Sequence, residues 1–97
     1  MENLIGVSVT TNFMSHFHTA KARTYPRTTT EDTVRAIYRA IKEQVRDEFM
    51  KFDGHESQPA LALVETMDVD EDTIRATVWF DDPEAAMLFK LTHGGAA

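Results

Sequence analysis

TTTEDTVRAIYRAIKEQVRDEFMKFDG, residues 28–54, carries the strongest periodicity in the chain. Counting from Val34, the residues Ile37, Tyr38, Ile41, Val45, Phe49 and Phe52 fall at i+3, i+4, i+7, i+11, i+15 and i+18, one side of a helix. At the rise of an α-helix that stripe is roughly 30 Å long. Its start is marked too. Thr28 and Glu31 have capping-box spacing, Thr29 and Thr30 are alternative caps, and Glu31 and Asp32 put negative charge where the helix dipole favours it. Asp53-Gly54 stops it. The other side carries Arg35, Arg39, Lys42, Glu43, Arg46, Asp47 and Lys51, with Arg39/Glu43 and Asp47/Lys51 spaced for weak i,i+4 pairs, and reads as solvent-facing. A single apolar stripe of this length needs a sheet to cover it, so the flanking segments must supply one.

They do so by alternation. In LIGVSVT (4–10), Ile5, Val7 and Val9 share one side and Leu4, Gly6, Ser8 and Thr10 the other, the period of a half-buried strand. ALALVETM (60–67) and TIRATVWF (73–80) are two further β-type runs joined by the acidic DVDED (68–72), a hairpin. In the second run Ile74, Ala76, Val78 and Phe80 oppose Arg75, Thr77 and Trp79, which turns Trp79 away from the helix and makes it a candidate interface residue. Asp82-Pro83-Glu84 then supplies an N-cap, a proline at the first helical position and an acid in the first turn, opening a short helix through AAMLFKL that ends at His93-Gly94-Gly95. The predicted fold is α+β: a ferredoxin-like split β-α-β-β-α, with one long and one short helix on one face of an antiparallel sheet. The last strand is missing or very short, FKLTH (89–93) being the one segment able to supply it.

Ninety-seven residues with 42% hydrophobic and 27% charged content make one globular domain, 1–97, rather than a disordered chain. A domain this small buries only about 60–65% of the surface its unfolded chain exposes, so a partner or a second copy would add stability. Without cysteine it has neither disulfides nor thiolate zinc ligands, and without a secretory leader or a run of about 18 apolar residues it is expected to be cytoplasmic or part of a virion, with no membrane contact. The formal charge of −6 is divided: residues 1–52 carry +2 and residues 53–97 carry −8. That asymmetry suits two-faced partner binding better than a surface built throughout for nucleic acid.

Between the first strand and the long helix, residues 11–28 show no sustained period and are expected to form a basic loop or arm. Its core, MSHFHTAKARTYPR (14–27), holds Lys21, Arg23 and Arg27 with no acid among them, and Pro26 pushes Tyr25 toward extended geometry. Connections this long are more often functional than merely connective. Phe13, Phe17, Arg23, Tyr25, Arg27 and Trp79 are the expected partner-binding residues, since aromatic and arginine side chains supply most hot-spot energy. For Phe13 and Phe17 the structural alternative is that they fold back onto the core. The same arm, extended by Arg35, Arg39, Lys42 and Arg46, also fits a nucleic-acid strip of stacking rings and phosphate contacts, a reading weakened by the acidic second half.

Other chemistry is poorly supported. On an extended arm His16 and His18 would point the same way and could take a divalent metal with His55 or His93, yet no acid flanks them to orient the rings, and no metal is expected. Asp68, Asp70 and Asp72 match the first three ligands of a calcium loop, but Thr73 stands where glycine makes its turn and Trp79 where its glutamate belongs. Ser8, Ser15 and Ser57 lie in no nucleophile elbow and there is no glycine-rich phosphate loop, so neither catalytic residues nor a cofactor is assigned and the chain reads as a non-enzyme.

The run FDDPEAAMLFKLT (80–92) resembles the ending of small proteins of tailed bacteriophages, in which a strand, an acidic cap and an A-x-x-F-K-L helix recur. His93 departs from the pattern, where an aromatic residue is expected after the threonine. The resemblance covers thirteen residues, carries no active site, and implies a protein that either redirects a host protein or forms a minor part of the particle.

Overall fold

The computed structural model describes residues 3–26, 28–53 and 56–94. Arg27, His55 and the Gly54 and Gly95 stops lie outside the described residues. In chain order the elements are β1 (Ile5–Asn12), α1 (Phe13–Arg23), α2 (Thr30–Met50), β2 (Leu61–Asp68), β3 (Thr73–Phe80), α3 (Pro83–Phe89) and a π-type turn, Lys90–Gly94. The three strands form one antiparallel sheet in the order β1-β3-β2, so the hairpin inserts its second strand between the two strands that the helices connect. This is the expected ferredoxin-like α+β arrangement with an additional helix, β-α-α-β-β-α.

The alternation in β3 decides which side is covered. Ile74, Ala76, Val78 and Phe80 are buried against the helices with Val7 and Val9 of β1 and Ala62 of β2, while Arg75, Thr77 and Trp79 project from the other face. From α2 come Ile37, Ile41, Val45 and Phe49, followed by Phe52, and from α3 come Ala85, Ala86 and Phe89. The Phe89 ring closes this layer, 5.1 Å from Phe80, 5.3 Å from Phe52 and 6.2 Å from Phe49, centroid to centroid. Val34 and Tyr38 are left at the rim of the α2 stripe, exposed rather than buried.

Capping follows local chemistry. The α2 cap is Thr29 rather than Thr28; its hydroxyl accepts from the Asp32 N–H at 3.1 Å. Asp82 caps α3, with Pro83 at the first helical position, and also accepts from the Ser57 hydroxyl at 3.1 Å. Gln58 closes the α2–β2 connection as a strand would: its amide N–H donates to the Phe52 carbonyl at 2.7 Å and its oxygen accepts from the Phe52 N–H at 3.1 Å. On the exposed side of α2, Arg35 pairs with Glu31 at 2.8 Å and lies 3.9 Å from Asp32. The expected Arg39–Glu43 and Asp47–Lys51 pairs do not form among the described residues.

One expectation is corrected. Residues 11–28 are not a loose arm: β1 runs on to Asn12, and Phe13–Arg23 form α1, packed on α2. Phe13, Phe17 and Ala20 sit at i, i+4 and i+7, and burying that short stripe against α2 and the sheet favours the helix over a solvated loop. The last strand is missing, one of the two expected alternatives, since residues 89–93 supply none. They finish α3 and widen into the π-type turn, which lies against β1 and leaves that strand at the edge of the sheet.

Candidate functional site

Asn12 ends β1 and caps α1, its side-chain oxygen accepting from the Ser15 N–H at 2.9 Å. The first turn of α1 contains no acid, and one arrives from the hairpin instead. Asp72 sits in the left-handed region at φ 55° and accepts from the Met14 N–H at 2.7 Å, from the Asn12 side-chain amide, and, through its carbonyl, from the Phe13 N–H at 3.2 Å. The acidic loop 68–72 thus has a structural duty at a helix N-terminus, where a carboxylate is favoured. Among the described residues no group of three or more His, Asp or Glu is placed to hold a metal ion.

From this anchored start α1 packs on α2, and a shallow groove between them is lined by His16, Thr19, Arg23, Glu43, Asp47 and Lys51. His16 spans its floor, Nδ1 2.9 Å from the Asn12 carbonyl and Nε2 2.8 Å from Glu48 Oε1. Both ring nitrogens lie within hydrogen-bond distance of oxygen atoms. Neither nitrogen is left for a substrate or a metal. His18, two residues along a helix rather than an extended arm, turns to the other side and is exposed, so the two rings cannot converge. Gln44 donates to the His16 carbonyl at 3.2 Å and adds a second link between the helices.

The expected contact residues are scattered by this packing. Phe13 is 2% exposed, stacked on Phe17 at 5.8 Å and edge-on to Tyr38 at 6.2 Å, so it belongs to the core and offers nothing to a partner. Phe17 is half-buried against the same core. Arg23 is exposed at the end of the groove, and Tyr25, 86% exposed, stands in the connection to α2. The basic residues do not form a continuous strip, because Glu43, Asp47 and Glu48 interleave with Arg39, Lys42, Arg46 and Lys51 along α2.

The uncovered face of the sheet is different in kind. Gly6, Trp79 and Leu61 lie side by side across the three strands, with Ser8, Thr77 and Leu63 in the next row. The six-membered ring of Trp79 rests over Gly6: a Cβ there would stand 2.8 Å from its Cζ3 and 3.0 Å from its Cη2. Glycine is required for this close approach. Leu61 is 42% exposed, Leu63 50%, and Leu4, just ahead of β1, is also exposed. One end of the face is therefore apolar. The other is polar, with Thr77 donating to Glu65 at 2.8 Å and Arg75 beyond. Glu65 follows Leu61 and Leu63 on the same alternating side, with its carboxylate beside Thr77, and the register shift between Val64 and Thr66 places Thr66 opposite Arg75. Trp79 was legible from the alternation in β3; Leu4, Leu61 and Leu63 were not singled out, although the same period places them on its side.

No helix of the described residues is long and apolar enough to cross a membrane. No family model, curated protein or solved structure matches the chain.

Proposed function

We propose that this chain is a non-enzymatic protein-binding domain that docks a partner on the open face of its sheet, through Trp79, Leu61 and Leu63. What supports it is one arrangement: the only tryptophan, seated on Gly6 and flanked by exposed leucines, projects from the face that no helix covers. A rigid aromatic anchor inside an apolar patch with a polar margin has the composition of an interaction hot spot. The groove between α1 and α2 lacks such an anchor, and its histidine is fully engaged. The ending 80–92 adds a source and a setting to the proposal, a bacteriophage protein acting on a host or virion partner. The basic segment from Lys21 to Arg27 takes a subordinate role, steering the approach of an acidic partner.

The test is capture from bacterial lysate with three proteins: the wild type, Trp79→Ala with Leu63→Ser, and Arg23→Glu. A species retained by wild type and Arg23→Glu but lost with the double variant is the expected result. Loss with Arg23→Glu alone would move the surface to the helices. Salt-sensitive retention on heparin, undiminished in the double variant, would favour nucleic acid instead.

A further inference from the structure

The two edges of the sheet are built differently. The β2 edge is interrupted by the register shift at Val64/Thr66 and carries Glu65 and Asp68, with Asp70 and Glu71 following, devices that discourage pairing with another strand. The β1 edge has none of them. All eight residues of β1 pair in unbroken register with β3, and from Asn3 to Ala20 the sequence contains no Lys, Arg, Asp, Glu or Pro.

The hydrogen-bond phase of that edge follows from the register. The Phe13 N–H donates to the Asp72 carbonyl, continuing the ladder one step beyond Asn12↔Thr73. In an antiparallel pair the bonded residues alternate, so Ile5, Val7, Val9 and Thr11 bond to β3, whereas Gly6, Ser8 and Thr10 turn their N–H and C=O groups outward. Among the described residues no strand lies beyond them. The helix of the layer nearest β1, α3 with its π-type turn, buries Ala85, Ala86 and Phe89 and leaves Met87 64% and Leu91 67% exposed on its opposite side.

We infer that the β1 edge pairs with β1 of a second copy, antiparallel about Ser8, to make a continuous six-stranded sheet. In that register Ser8 bonds to its own counterpart and Gly6 to Thr10 of the other copy, which uses the outward groups of these three residues on both chains. Val7 then meets Val9 of the other copy on the helix side, extending the β-branched row of the core. The chain carries a net charge of −6, and this neutral edge is a place where two copies meet without opposed like charges; the acidic β2 edge is not. The inference does not depend on the open face being the docking surface, though a shared sheet would present two Trp79 faces side by side.

Ser8→Pro separates this interface from the fold, because the N–H it removes points outward and proline is tolerated on edge strands. Sedimentation equilibrium of the wild type should give a dimer, and Ser8→Pro, with an unchanged circular dichroism spectrum, should weaken it by about tenfold to a hundredfold through the two lost bonds. Should that variant fail to fold, hydrogen exchange of the wild type decides. The Gly6, Ser8 and Thr10 amides are expected to gain protection as chain concentration rises. A wild type that stays monomeric, a dimer untouched by Ser8→Pro, or edge amides that exchange freely at every concentration overturns the inference. Protection of those amides only in a complex with a captured partner, with the chain alone monomeric, also overturns it and gives the edge to a strand of another protein.

Discussion

Asp72 concentrates three contacts in one side chain and one carbonyl, and it does so in a backbone conformation that few non-glycine residues hold. Asp72→Ala removes the carboxylate's contacts with the Met14 N–H and the Asn12 side chain at the start of α1 and keeps the strain, so a loss of about 2 kcal/mol is expected, read as a lower urea midpoint at unchanged m-value. Gly6 makes the opposite kind of prediction. In Gly6→Ala the new methyl meets the end of a side chain, which can move, so stability should change by less than about 1 kcal/mol. The indole must lift off the strand, and its fluorescence should report the displacement. An unchanged emission spectrum would mean that the ring does not rest on Gly6.

At the scale of elements, α1 separates what the residues display from what they conceal. The α2 helix is legible because its signals are local: a threonine cap, two acids in the first turn and an apolar stripe that continues to Phe52. The alternation of β3 and the Asp82-Pro83-Glu84 start of α3 are local in the same sense. By contrast α1 presents a stripe of only Phe13, Phe17 and Ala20, and the carboxylate at its N-terminus comes from Asp72, 58 residues away from Met14. Two weak local signs were available, the Asn12–Ser15 cap spacing and the Lys21 and Arg23 charges in the last turn, which suit a helix C-terminus. Because it folds, the segment expected to display Phe13 instead buries it. His16 is the bolt of this packing, and His16→Ala should cost about 1–2 kcal/mol. The loss should be local, with α1 amides exchanging faster while those of β3 keep their protection; uniform loosening of all elements would contradict it.

For the molecule as a whole, two features of the sheet matter. Among the described residues no fourth strand pairs with β1, which stays at an edge, and no helix covers the sheet's outer face. The charge division read from the sequence belongs to this level as well: the −8 half contains the hairpin loop and the β2 edge, while six of the eight basic residues of the +2 half lie on α1 and α2. A partner approaching the Trp79 end of the sheet meets Trp79, Leu61 and Leu63, with Glu65 and Arg75 further along the same face. Hydrogen exchange of the chain, free and bound to its captured partner, tests this most directly. The proposed docking surface predicts slowed exchange in 61–63 and 75–79, with 14–25 unchanged. Slowed exchange confined to 14–25, with the strands unaffected, would contradict it.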